Sequence, residues 1–187
     1  MTHKQGRLGS ARTRQGPSLD LAFGVSKEAF RDAMARLGAA VNVIATDGPA
    51  GRRGFTASAV CSVTDEPPTL LVCVNRTNDS HAALLANGVL CVNTLAAGQQ
   101  DISVVFAGLA GLDGEARFRH GVWYAQQTGA PALRGAVVSF DCRVTQATEV
   151  GTHSVLFCEV VAIRPGSGQE GLIYFGRGYH PVGLAPV

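Results

Sequence analysis

Residues 54–80, GFTASAVCSVTDEPPTLLVCVNRTNDS, leave this chain few ways to fold. Thr56, Ser58 and Ser62 alternate with Ala57, Ala59 and Cys61 along a run that otherwise has strand character, and such small side chains open room for a ring beside the main chain. Pro67 and Pro68 cannot continue a central ladder, so TDEPP reverses the chain. TLLVCVN is then a short, branched, apolar run of strand length that delivers Asn75–Ser80 to a rim where a new helix begins. Asp79 or Ser80 is a natural N-cap for HAALLAN, and the free N–H groups of a helix start attract phosphate. Two readings fit this spacing: a cradle for a flat ligand that ends in a phosphate, or a plain β-hairpin with a capped helix behind it.

The rest of the chain continues in the same vocabulary of short apolar runs and turns. Ser26 can cap a helix in which Phe30, Ala33, Met34 and Leu37 share one face; Gly38 ends it, and that face is expected to pack on the sheet. VNVIATD alternates as a strand, DGPAG turns it, and VLCVNTL follows HAALLAN as a further strand. AGQQDISVVFAG predicts a short helix with Ile102, Val105 and Phe106 on one side. Residues 108–121, with four glycines and alternating charges, predict a loop or flexible lid. Trp123 and Tyr124 return to the core, and AVVSFDCRV, SVLFCEVVAI and GLIYF read as strands separated by VGTH and PGSGQEG. Six or more short strands with a few helices at the edges predict a mainly β fold, an antiparallel barrel decorated by helices. Residues 1–22 read as a disordered leader, and residues 23–187 as one domain with its own core.

Charge and cysteine usage narrow what such a domain can do. Four of the 16 basic residues (Lys4, Arg7, Arg12, Arg14) and one of the 14 acidic ones (Asp20) fall in the first 20 residues, which leaves a body of 12 against 13. That body offers no basic face to nucleic acid or to an anionic membrane. No apolar stretch approaches the roughly 18 residues of a membrane span, and the first 20 residues lack an apolar signal region. Cys61, Cys73, Cys91, Cys142 and Cys158 lie far apart without a CxxC pair, which predicts free, mostly buried thiols in a reducing cytoplasm. The histidines form no HxxxH pair, so no metal site is expected. GLAGLDGEA spaces its glycines wrongly for GxGxxG and follows no strand, so a Rossmann nucleotide domain is not expected either.

The strings FRDAMARLGAAVNVIAT, GFTASAVCSVTDEPPTLLVCVN, LCVNTL, VGTH, GLIYF and YHPV together resemble the short-chain, split-barrel flavin reductases, over about residues 29–183. Within that family the similarity is to the hydroxyphenylacetate and pyrimidine-utilisation branches. The resemblance implies a split β-barrel of the FMN-binding kind with a few flanking helices. It also implies an NAD(P)H-dependent reductase that supplies reduced FMN or FAD, by diffusion, to a separate flavin-dependent monooxygenase. The family dimerises with each flavin at the subunit boundary, so a homodimer is implied as well.

Site residues follow from the same resemblance. Gly54, Phe55, Thr56, Ala57, Ser58 and Ala59 would border the isoalloxazine ring, with Cys73, Val74 and Asn75 on the neighbouring strand. Asp79, through its backbone N–H, and Ser80, through its hydroxyl, would stand near the phosphate, with Val105 and Phe106 closing over it. His153 in VGTH would lie beside the nicotinamide of NADH or NADPH as the catalytic candidate, orienting the carboxamide or pyrophosphate. Tyr179 and His180 in YHPV would close the nicotinamide side or pin the tail. Arg52, Arg53 and Arg177 either meet a phosphate or are merely solvated. Hydride transfer between two cofactors needs no strong general base, so the absence of a catalytic triad is in keeping. Two other functions share such a barrel: a non-catalytic FMN-binding protein, and a pyridoxamine-phosphate-oxidase-like enzyme, which needs a cluster of basic residues for a substrate phosphate that the folded part is not expected to have.

Overall fold

The structure, a computed structural model, describes residues 24–168 and 170–183, so the leader expected over residues 1–22 lies outside the described residues. Ser26 starts α1 (Lys27–Met34) as expected: its hydroxyl accepts the Ala29 amide at 3.0 Å, satisfying one donor that a helix start leaves unpaired. The apolar face of α1 departs from expectation. Phe30, Met34 and Leu37 are 58, 45 and 60% exposed, and no residue of the helix is buried. The helix is held at its end, by the Gly176 amide donating to the Ala35 carbonyl at 2.7 Å and by an Arg177–Asp32 ion pair, and its stripe stays exposed instead of being buried on the sheet.

Seven antiparallel strands form the main sheet in the order β3 (Arg53–Ala57), β2 (Asn42–Thr46), β6 (Val89–Thr94), β9 (Val138–Val150), β10 (His153–Pro165), β5 (Pro68–Asn75) and β4 (Val60–Asp65). A second sheet has the order β1 (Ala39–Ala40), β11 (Glu170–Phe175), β12 (Gly178–Gly183), and β7 (Trp123–Ala125) pairs with β8 (Pro131–Leu133). The sheets do not close, so β3 and β4 remain edges of a split barrel. Flanking them are α2 (His81–Asn87), α3 (Gln100–Phe106) and a 3-10 helix over Gly114–Arg119.

The barrel interior is filled by Ile44, Phe55, Leu70, Val72, Val74, Leu90, Val92 and Leu156, while a second cluster joins Val43 and Ala45 to Ile102, Val105, Phe106 and Phe118. This explains why β2 shows no alternation. Both of its faces are covered, and all five residues are buried.

β9 and β10 are not short: each runs 13 residues, and Val150 faces His153 across a two-residue turn, Gly151-Thr152. VGTH is therefore a hairpin tip, with Gly151 at φ +56°. YHPV, expected as a closing tail, is part of β12. Residues 108–121 also differ from a flexible lid, because their 3-10 helix buries Arg117 and Phe118.

Candidate functional site

Along β5, Leu70, Val72 and Val74 point into the barrel, and Leu71 and Cys73 point out. With Ser58 and Ala59, which join β3 to β4, they floor a groove of about 800 Å³. Its far wall is Arg31, Met34 and Leu37, completed by Tyr174 and Arg177. A second hollow of about 270 Å³ shares Ser58 and Tyr174 with the groove and reaches Thr56, Ala57 and Tyr179. Of the expected site residues, Thr56, Ala57, Ser58, Ala59, Cys73 and Tyr179 thus reach these spaces.

Five others do not, and packing gives the reason. Phe55, Val74, Val105 and Phe106 are buried in the two core clusters, so none presents a face to a ligand from this chain. Gly54 was expected to admit a ligand to the main chain; its open side is filled from within. A Cβ there would stand 2.9 Å from both the Ile44 carbonyl oxygen and a Phe106 ring carbon. Phe106 in turn packs edge-on against Phe118, with ring centres 5.1 Å apart.

Ser103, which the sequence reading passed over, organises the smaller hollow. Its carbonyl accepts the Thr56 hydroxyl at 2.7 Å, and its own hydroxyl lies 2.9 Å from the Tyr179 phenol oxygen. Its one sequence signal is a hydroxyl on the buried face of QDISVVF, where a polar group must find a partner.

Beyond Cys73 the strand reaches Asn75, which stands opposite His153 in the β5–β10 ladder. This rim is braced. The Asn75 side-chain oxygen accepts both the Thr77 amide and hydroxyl at 3.0 Å, the Arg76 amide donates to the Thr152 carbonyl at 3.0 Å, and Arg76 also donates to the Gly151 carbonyl at 2.8 Å. His81 Nε2 lies 2.9 Å from the Ser154 hydroxyl. His153 is exposed, with Nδ1 3.0 Å from the Thr152 hydroxyl. His180 sits on the other sheet, its Nε2 donating to the Phe175 carbonyl at 3.1 Å, and neither histidine lines the groove.

The side chains of Asp79 and Ser80 are engaged elsewhere, in bonds that do not involve the Asp79 backbone N–H. Ser80 is fully buried and donates its hydroxyl to Asp79 at 3.2 Å, and α2 has no side-chain cap. Arg117 grips Asp79 at 2.9 and 3.3 Å, and also donates to the Gly54 carbonyl at 3.0 Å and the Leu112 carbonyl at 3.1 Å. One buried guanidinium therefore ties the 3-10 helix to β3 and to the loop before α2.

The buried thiols are poor nucleophiles at neutral pH. Burial pushes Cys91 and Cys158 up to about 12 and raises Cys142 as well; for Cys73, burial and then the neighbouring Cys61 thiol act in the same direction. What the groove offers is binding. It is mostly apolar, floored by small residues, within the usual size of a ligand pocket, and has two arginines and no carboxylate in its lining. Those features fit a flavin, a flat apolar ring with an anionic tail.

The family described as flavin reductase like domain matches residues 34–183. This chain belongs to that family. Among curated members, the protein named FMN reductase (NADH) RutF from Ancylobacter novellus is 60% identical over 162 residues, 87% of this chain and 88% of the relative. Its namesake from Variovorax paradoxus is 60% identical over 160 residues, 86% of this chain and 88% of the relative. A flavin reductase structure from Haemophilus somnus superimposes with a TM-score of 0.81 at 46% identity, covering 84% of this chain and 100% of its own. The flavin reductase component of a bacterial two-component tryptophan halogenase gives 0.79 at 26% identity, covering 86 and 100%. This flavin reductase family member thus has relatives across nearly its full described length, and the split barrel expected from its strings is the fold it has.

Proposed function

We propose that this flavin reductase oxidises NADH to reduce FMN and releases the reduced flavin to a separate flavin-dependent monooxygenase. The groove carries the reading: an apolar, carboxylate-free trough along Ser58, Ala59 and Cys73, in a chain 60% identical to proteins named FMN reductase (NADH). Those names favour the pyrimidine-utilisation branch over the hydroxyphenylacetate one. A solved relative named as one component of a two-component halogenase supports a separate oxygenase partner.

When bound, the flavin supplies the ring that accepts hydride. The protein has to hold two planar groups face to face and keep water out. Ser58 and Ala59 keep their side chains short, so a ring can lie against the main chain, and Leu71 with the neutral Cys73 thiol gives it an apolar floor. Asn75 and His153, opposite one another in the β5–β10 ladder two residues beyond Cys73, orient the nicotinamide carboxamide. His153 acts by hydrogen bonding, since the transfer requires no base.

The enzyme works as a cytoplasmic homodimer. The exposed stripe of Phe30, Met34 and Leu37 flanks the groove and suits a second copy, and five free thiols suit a reducing compartment.

Steady-state oxidation of NADH and NADPH, with FMN, FAD and riboflavin offered in turn, tests the proposal. NADH with FMN is expected to give the highest kcat/KM. Protein that neither retains nor reduces any flavin would overturn it. His153→Ala is expected to raise the KM for NADH about tenfold, the loss of one hydrogen bond in the complex; an unchanged KM and turnover would remove His153 from the site.

A further inference from the structure

Two arginines separated by most of the chain meet at the groove. Arg31 on α1 and Arg177 in the β11–β12 turn both line it, and none of the lining residues is a carboxylate. Arg31 makes no ion pair among the described residues, and Arg177 pairs only with Asp32. Both members of that pair are well exposed, so water screens it and it contributes little. Two cations at the edge of one apolar trough repel each other unless an anion lies between them.

The backbone gives an independent observation. Arg177 has φ +67°, the one positive value outside glycine among the described residues. It is the second residue of the two-residue turn Gly176-Arg177, a position where glycine sits without strain and a long side chain does not. Strain of this kind persists where the surroundings or the function hold it. The turn is also fixed to α1 through the Gly176 amide, so the guanidinium is presented by a rigid support. The Asp79 carboxylate and the Ser80 hydroxyl are occupied by Arg117 and by each other, and Arg31 and Arg177 are the cations that line the groove.

We propose that Arg31 and Arg177 form a clamp for a phosphate group of a coenzyme bound in the groove. A planar guanidinium presents paired donors that match phosphate oxygens, and two of them on one wall of an apolar trough would fix the tail while the ring lies over Ser58 and Cys73. The inference rests on the reductase reading above. FMN phosphate and NADH pyrophosphate are the two sources of such a group.

The test uses the full chain, with melting temperature and KM for FMN, riboflavin and NADH measured on Arg177→Gly, Arg177→Lys and Arg31→Ala. Arg177→Gly is expected to relieve the turn, raising the melting temperature by about 2–4 °C, while raising one KM about tenfold at little change in kcat. If the clamp holds the flavin, the KM for FMN rises and that for riboflavin does not; if it holds the dinucleotide, the KM for NADH rises with either flavin. Arg31→Ala, remote from the strained turn, is expected to raise the same KM, and Arg177→Lys to recover part of the loss. All three constants within about twofold of the parent in both Arg177→Gly and Arg31→Ala would overturn the clamp. A parent protein that reduces no flavin would instead remove the reductase reading beneath it.

Discussion

Replacing Arg117 by Met deletes the guanidinium that joins three segments while keeping much of the side-chain volume. Its side chain is 10% exposed and that of Asp79 is 48% exposed, so the consequences differ at the two ends. The Gly54 and Leu112 carbonyls lose charge-assisted bonds of 3.0 and 3.1 Å, each worth about 1.5–3 kcal/mol. Asp79 turns its carboxylate to water, so the ion pair itself adds no more than about 1 kcal/mol. Relief from desolvating the guanidinium returns part of this, leaving a net loss of about 2–5 kcal/mol. For a chain of this size that lowers the melting temperature by roughly 4–20 °C. Thermal scans of Arg117→Met, Asp79→Asn and the double variant form a cycle that separates the pair from the carbonyl bonds. The expected pattern is a large loss for Arg117→Met, a small one for Asp79→Asn and weak coupling between them. Arg117→Met melting within about 2 °C of the parent would refute the tie.

Four further outcomes can be checked together. Gly54→Ala drives a methyl against Phe106 and the Ile44 carbonyl, and is expected to lower stability by about 1–3 kcal/mol in urea titrations; an unchanged midpoint would mean that Phe106 can move aside. A thiol reagent at pH 8 should label exposed Cys61 first and half-buried Cys73 slowly, with Cys91, Cys142 and Cys158 reacting only on unfolding; prompt labelling of all five would contradict their burial. Cys91 and Cys158 titrate near 12 when folded against an ordinary 9.0, so between those values the unfolded chain sheds protons that the folded chain keeps. Stability should therefore be unaffected by these thiols below pH 9 and fall above it by about 1.4 kcal/mol per pH unit for each, read from denaturation midpoints across pH 8–11. In the proposed homodimer, Phe30→Glu with Leu37→Glu places charge on the exposed stripe of α1 and should yield monomers in sedimentation velocity, whereas an unaltered dimer would mean that assembly uses another face.

The strands were legible where branched apolar residues fill a strand length: TLLVCVN, VLCVNTL and GLIYF became β5, β6 and β11. The cap at Ser26 was legible because the signal is local. The direction of the α1 face was not, since periodicity shows that a face is apolar without showing which surface covers it. β12 was hidden by Pro181, which its place at the edge of the three-stranded sheet tolerates. In the site, the run from Thr56 to Ala59 announced itself by its small side chains. Arg117 did not, because its partners Gly54 and Asp79 lie 63 and 38 positions away and its own surroundings are rich in glycine. That Arg31 and Arg177 line one groove was invisible for the same reason.

Strand order also sets a sequence of events in time. β9 and β10 meet across a tight turn, so that hairpin can zip early, but β5 must wait for β10 to emerge from a much longer closure before Asn75 meets His153. Leu71 and Cys73 become a floor only at that late step. A fluorescent flavin added to refolding protein would accordingly stay bright through collapse and dim only as the β5–β10 ladder closes.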